Sequence, residues 1–344
     1  MDHSTKKILV TGGAGYIGSH TVVSLVEGGY TPIILDDFRN AKLDVINRLE
    51  KITRKHLKVA QIACQDEAAL RKLFDAHDFF GVIHFAADKA VGESVENPLK
   101  YFENNLMGLT VLLKVMRDYN VHRLVFSSSC TVYGEPEIIP VTEKSALTFS
   151  SPYGFTKLVN EQMIEQFVSS CKNFKAIALR YFNPIGAHES GEIGEDPQGI
   201  PNNLLPFITQ TASGKREYLT VYGSDYDTAD GSCIRDYIHV MDIAEAHVKA
   251  LNFFEKSSCK GFDVFNIGTG KGTSVFEMIS TFEEVTNSKL NFKVGERRPG
   301  DIPSIFAEAE KANNVLEWSS KRTVKDAIKS AWKYEKNKII IDGV

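Results

Sequence analysis

Short apolar runs alternate with longer stretches whose apolar positions recur at helical spacing through the first half of the chain. Residues 7–11 predict a short buried strand, followed by a helical pattern to about Gly28. Further strands are predicted over 31–35, 57–63, 81–85 and 123–126, with helices over 67–76 and 109–119. Another strand opens at Lys175. Strands alternating with helices predict a parallel sheet with crossover connections. In such sheets ligands bind outside the carboxyl ends of the strands. Residues 12–18, 85–89 and 127–129 all lie at such ends.

Beyond Lys175 the pattern changes. Residues 189–203 are rich in Gly, Pro and acidic side chains and read as irregular. Residues 262–267 read as a strand that could rejoin the first sheet. The expected division is a nucleotide-binding domain over 1–180 and a mainly substrate-binding domain over 181–344. Segments around 235–270 are expected to return to the first domain.

The first strand is followed by Gly12-Gly-Ala-Gly-Tyr-Ile-Gly18. Gly13, Gly15 and Gly18 satisfy G-x-G-x-x-G, and Gly12, Gly15 and Gly18 satisfy the G-x-x-G-x-x-G variant equally well. Such glycines let a turn run tight and let the backbone approach a pyrophosphate at a helix N-terminus. The motif lies between a strand and a helix, the context it requires. The second strand ends at Asp36-Asp37, and Asp36 lies 18 residues beyond Gly18. That is close to the ~20 expected for the acid that binds ribose hydroxyls. A carboxylate there repels a 2′-phosphate, which favours NAD over NADP, although Arg39 nearby argues the other way. The fold class is α/β: a Rossmann-type, doubly wound parallel sheet with a smaller mixed α/β substrate-binding lobe.

Composition adds mainly exclusions. The 344 residues are 43% hydrophobic and 24% charged, with a net charge of −4, and the pI is about 6.2. That is no nucleic-acid footprint. Five scattered cysteines without a C-x-x-C pair read as reduced thiols. The chain runs from Met1 almost directly into the first strand, so no signal peptide is expected. No apolar run is long enough to span a membrane. The expected location is the cytoplasm. The nine histidines show no metal-ligand spacing.

Tyr153 and Lys157 are four apart, behind Ser151-Pro152. Ser151 suits an N-cap and Pro152 a first helical turn. On one helix both side chains share a face. The ammonium then favours the phenolate, so the tyrosine can act as a base below its free value of about 10. On a surface helix the same pair is usually a solvated face. The polar stretch 127–134 ends a strand, either as a plain serine loop or as a hydroxyl held beside Tyr153. Arginines in turn-rich settings at 235 and 297–298 suit a phosphate pair or an ordinary surface.

These motifs resemble the extended short-chain dehydrogenase/reductase family and, within it, the UDP-glucose (UDP-galactose) 4-epimerases. The matching stretches include 9–20, 89–94, 127–129, Tyr153-x-x-x-Lys157 and 180–184. The most specific are 194–204 and 235–240, and the similarity runs from about Lys7 to Tyr334. The resemblance implies reversible inversion at C4 of a UDP-hexose, with tightly held NAD. It implies Tyr153 as the base, Lys157 as its partner on the nicotinamide ribose, and Ser129 on the C4 oxygen. It places NAD against Gly12, Gly15, Tyr16, Ile17, Gly18, Asp36, Asp37, Asn40, Phe85, Ala86, Lys89, Asn104, Ser127 and Phe182, besides Tyr153 and Lys157. It places the UDP-sugar against Ser129, Tyr153, Asn183, Asn203, Leu204, Tyr222, Arg235, Arg298, Asp301 and Ile305. A homodimer is the implied assembly, with no fused mutarotase domain.

The chain departs from that family in three places. Ala87-Asp88 replaces Gly-Leu, which adds a charge near the cofactor that could point to solvent or loosen NAD. Cys64-Gln65 replaces the Asp-Ile/Leu adenine contact, with Asp66 two places on. Ile305 replaces a tyrosine that crowds the sugar's C2 substituent, which implies some activity on UDP-N-acetylhexosamines unless Ile305 is simply core. The rival readings are a 4,6-dehydratase or decarboxylase, and a non-catalytic sensor. The dehydratase needs an acid pair where Cys130-Thr131 stands, and a sensor usually loses the tyrosine or lysine.

Overall fold

The structure, a computed structural model, describes residues 6–256, 259, 261–298 and 300–342. The N-terminal residues on which the leader expectation rests lie outside the described residues.

In chain order the first half gives β1 (Lys7–Thr11), α1 (Tyr16–Glu27), β2 (Thr31–Asp36), α2 (Asp44–Thr53), β3 (Lys58–Gln61), α3 (Glu67–Asp75) and β4 (Phe79–His84). Then come α4 (Val91–Glu96), α5 (Pro98–Tyr101), a π-helical stretch (Phe102–Met107), α6 (Gly108–Asp118), β5 (Arg123–Ser129), α7 (Pro152–Ser170) and β6 (Lys175–Tyr181). The second half gives β7 (Asn183–Ile185), α8 (Leu204–Ala212), β8 (Leu219–Tyr222), β9 (Ile234–Arg235), β10 (Tyr237–His239), α9 (Val240–Phe253) and β11 (Phe262–Ile267). It closes with β12 (Thr273–Ser274), α10 (Val275–Thr286), β13 (Phe292–Gly295), β14 (Ser304–Ile305) and α11 (Val324–Asp342).

The central sheet is parallel, in the order β11-β6-β5-β4-β1-β2-β3. Its inner strands are buried on both faces, and successive side chains feed opposite cores. Ile8, Val10, Ile34, Ile83 and Val125 join one cluster with Val22 and Val23 of α1 and Ile243 and Ala246 of α9. Leu9, Ile33, Leu35, Val82 and Leu124 join the other, with Leu70 of α3, Leu109 of α6 and Ile164 of α7. The chain crosses from β3 to β4 on the far side of β1, so the order reverses beside β1. The crevice at that reversal is where such sheets hold ligands.

Some boundaries differ from the sequence reading. β3 is shorter because it is the edge strand and mostly exposed. β5 runs through its serines, whose backbone pairs with Leu179, Arg180 and Tyr181. The strand expected over 262–267 is β11, paired in parallel with β6. Small sheets occupy the second half: β7 with β10, β8 with β13, and β9 between β12 and β14. Residues 189–203 form neither helix nor strand.

Candidate active site

The glycine loop fills the end of β1. Gly12 has φ +68°, and a Cβ there would meet the Ala86 nitrogen at 2.8 Å. A Cβ on Gly18 would meet the Gly12 carbonyl oxygen at 2.1 Å. Only hydrogen fits at either place. Gly15 is the N-cap of α1, whose first turn carries no acid and no side-chain cap. The helix start therefore presents free N–H groups and positive potential. Asp36 is buried, and its carboxylate accepts from Ala14 N at 3.0 Å and Phe38 N at 2.9 Å. Burial raises its pKa, and those two bonds oppose the rise.

The flanking residues close around this loop. Phe85 N donates to Thr11 O at 2.9 Å, and the Phe85 ring lies 4.7 Å from His247. Tyr16 donates to Gly186 O at 2.6 Å, and Ile17 packs against the core. Asn40 donates to Asp88 at 3.3 Å. Asn104, in the π-helical stretch, accepts from Arg39 and Gln65. Lys89 reaches Glu195 at 3.2 Å, and Asn203 donates to the same carboxylate at 2.6 Å.

Ser151 caps α7 by accepting from Gly154 N at 3.2 Å, with Pro152 in the first turn. This fixes Tyr153, whose N–H donates to Ser94 Oγ at 3.2 Å. Lys157 Nζ lies 5.7 Å from the Tyr153 ring and donates to Ser127 O at 2.7 Å. The Ser129 hydroxyl faces the phenol and favours its ionised form, but burial dominates and raises the tyrosine's pKa. Burial also pushes Lys157 down to about 7, against Glu161, which raises it. Desolvation thus works against the ammonium-stabilised phenolate that the sequence suggests. In the protein alone, desolvation favours the neutral form of both groups.

Beneath them lies a buried pair that sequence reasoning missed. Arg180 binds Glu161 through Nε at 3.0 Å and Nη2 at 2.6 Å, and Ser128 donates to the same carboxylate. Arg180 also donates to Tyr133 OH at 2.9 Å, which donates to Asn266 at 2.6 Å. The one available signal was Glu161 standing four residues after Lys157 on the same helix face.

The expected substrate arginines do meet. Arg298 binds Asp301 through Nε at 3.1 Å and Nη2 at 2.8 Å, and Arg235 Nη2 lies 3.7 Å from the same carboxylate. The Arg298 guanidinium stands 5.6 Å over the Tyr222 ring. Asn183 donates its backbone N–H to Asp236 O at 2.9 Å, and Leu204 begins α8 behind Asn203. Ile305, in β14 opposite Arg235, is 4% exposed and packs with Phe182, Val132 and Leu158. The Cys130 thiol, raised to about 12 by burial, feels the charge of Arg235 and in turn acts on Tyr153.

A sequence profile of the GDP-mannose 4,6 dehydratase family matches residues 9–331. UDP-glucose 4-epimerase 2 of Arabidopsis thaliana is 47% identical over 337 residues, covering 96% of this chain and 95% of that protein. The crystal structure of UDP-glucose 4-epimerase from Bifidobacterium longum in complex with NAD+ and UDP superposes with a TM-score of 0.93 at 42% identity, covering 96% of this chain and 98% of that one. The Stenotrophomonas maltophila enzyme, with bound NAD and formylated UDP-arabinopyranose, gives 0.95 at 42%, covering 98% and 99%. The chain belongs to the UDP-glucose 4-epimerase family. Although the profile bears a dehydratase's name, the turn after Ser129 carries Cys130, Thr131 and Val132 and no carboxylate.

Within this family the chain's departures have definite places. Asp66 caps α3 through Ala69 N at 3.0 Å and so is already engaged. Cys64 is buried, and Gln65 turns to Asn104. Asp88 points inward and is 3% exposed, so the solvent-facing alternative fails. All five cysteines are free thiols. No described helix is long and apolar enough to cross a membrane.

Proposed function

We propose that this protein interconverts UDP-galactose and UDP-glucose by oxidising the sugar at C4 and reducing it again on the other face, as an isomerase with resident NAD. The reading rests on the meeting of Tyr153, Lys157 and Ser129 with the glycine loop at one sheet end, beside the Arg235–Asp301–Arg298 group.

A dinucleotide fits the residues present. The cradle of Gly12 and Gly18 admits no Cβ, and the first turn of α1 offers uncapped N–H groups. Gly12, Gly15, Tyr16, Ile17 and Gly18 would hold the pyrophosphate, and Asp36 the ribose hydroxyls. Asp37, Asn40, Phe85, Ala86, Lys89, Asn104, Ser127 and Phe182 would line the rest. Asp37 and Asp88 take up the charge of Arg39, which removes the argument for NADP. Bound there, NAD supplies the hydride acceptor and donor for C4.

The chain's own groups handle the proton. Tyr153 takes it from the 4-hydroxyl and returns it to the 4-keto oxygen when the sugar presents its other face. Ser129 donates to that oxygen. Lys157, protonated, draws the phenol toward its ionised form. The Arg235 and Arg298 forks match a pyrophosphate, and Asp301 holds them side by side. Asn183, Asn203, Leu204 and Tyr222 would complete the nucleotide-sugar site. Turnover of UDP-N-acetylhexosamines belongs to the same proposal, because Ile305 brings an aliphatic side chain opposite Arg235.

The wider proposal is a cytoplasmic homodimer built from a domain over 1–180 and a mainly substrate-binding domain over 181–344, with segments around 235–270 returning to the first. Exposed Val95, Leu99 and Met107 around α4, α5 and the π-helical stretch support a covering partner, and light scattering would test it. The function is tested by incubating the purified protein with UDP-galactose and no added NAD. UDP-glucose should accumulate to a fixed ratio without NADH. A 4-keto-6-deoxy product would instead make it a dehydratase.

A further inference from the structure

The loops after β2 and β4 stand on either side of β1, so they flank the glycine loop. They also touch each other. Arg39, after β2, reaches the Asp88 carboxylate, after β4, at 3.8 Å. Asn40 donates to that carboxylate at 3.3 Å. Asp37 holds Arg39 at 3.0 Å from behind, and Asn104 accepts from it. Asn105 fixes the Asp88 backbone from both sides, accepting from its N–H at 2.8 Å and donating to its carbonyl at 3.0 Å.

Asp88 is therefore set and buried, while Arg39 stands half-exposed at the surface. The Asp88 side chain is 2% exposed and that of Arg39 is 43% exposed. Asp88 Oδ2 is buried without a hydrogen-bond partner. A buried carboxylate oxygen left unmet is costly, and the guanidinium has only a short distance to travel to meet it.

We propose that Arg39 and Asp88 form a clasp across the mouth of the dinucleotide cleft, and that Asp88 is a positioning residue for cofactor retention. This rests on the reading of the cleft as an NAD site. The pair joins the two loops that flank the glycine loop, so a dinucleotide seated there leaves only when the pair opens. Retention suits a reaction that returns its cofactor unchanged. It also gives the Asp88 departure a role opposite to loosening NAD.

The test loads the full-length protein with radiolabelled NAD and follows its release into excess unlabelled NAD. Asp88→Asn and Arg39→Ala should each release it about fivefold faster than wild type, near the upper end for a partly exposed pair. The double variant should be no faster than the singles. Added salt should speed release from the wild type and not from the variants. The melting temperature of each variant without NAD reports folding, and Arg39→Ala, at the exposed partner, carries the test should Asp88→Asn fail to fold. Unchanged release rates, or effects that add in the double variant, would overturn the clasp while leaving the NAD site standing. A wild type that neither carries nor takes up NAD overturns the cofactor reading and the clasp with it.

Discussion

Burial pushes Lys157 down to about 7, so its proton comes and goes near neutrality. The unfolded chain holds that proton until about 10.4. Between those values the unfolded state binds more protons than the folded one, so stability rises with pH across the window. As pH falls from about 10.4 the gain is lost progressively and is gone by about 7. In the protein without NAD, Lys157→Met should remove this part of the rise, read as the difference in urea midpoint between pH 7 and 9.5 for variant and wild type. A wild-type profile kept by the variant would show that Lys157 is not the titrating group. Tyr153→Phe keeps the ring and removes the proton carrier, so kcat should fall by about two to four orders of magnitude with circular dichroism unchanged. Full activity would mean another base. Ile305→Tyr puts a ring beside the strand that carries Arg235. It should suppress UDP-GalNAc turnover relative to UDP-galactose, and a wild type with no UDP-GalNAc turnover would end that reading. At this scale the tyrosine, the lysine and Asp36 were legible because each stands at a fixed spacing within a motif. Asp88 stood out as an added charge, but its pairing with Arg39 did not, and Glu161 was missed, since Arg39 and Arg180 reach them through space.

The elements carry these residues through local rules that the chain states openly. Ser151 and Pro152 begin α7, and the cap is made as the sequence predicts. The glycine loop turns where a Cβ would strike backbone. The π-helical stretch escaped notice because its widened turn breaks the regular helical spacing, and it buries Asn104 and Asn105 as hydrogen-bonding groups. The serine end of β5, left open between a plain loop and a placed hydroxyl, continues the strand and pairs along one side with β6. Glu161 of α7 and Arg180 of β6 join helix to sheet under the site, nearly without solvent. Arg180→Met leaves a buried carboxylate unpaired and should cost about 3–5 kcal/mol in denaturant unfolding. The double variant with Glu161→Gln should recover part of that loss. A loss below about 1 kcal/mol in the single variant would contradict the pairing.

Across the whole molecule the site is assembled from segments far apart in sequence. The glycine loop, the ends of β2, β4 and β5, and the start of α7 meet because the strand order reverses beside β1. Alternation of strand and helix made that sheet legible. The small sheets of the second half were not, since strands such as β9 and β14 are only two residues long. They pair because the arginine turn and the stretch before Ile305 fold back on each other. The two halves together serve one chemical idea, that the hydrogen leaving C4 returns to C4. The most direct measurement uses UDP-galactose deuterated at C4, turned over in ordinary water to equilibrium. UDP-glucose retaining the deuterium at C4 is the expected result. Deuterium lost to solvent would contradict the account, because it would mean that C4 is inverted by proton exchange and not by a hydride held within the site.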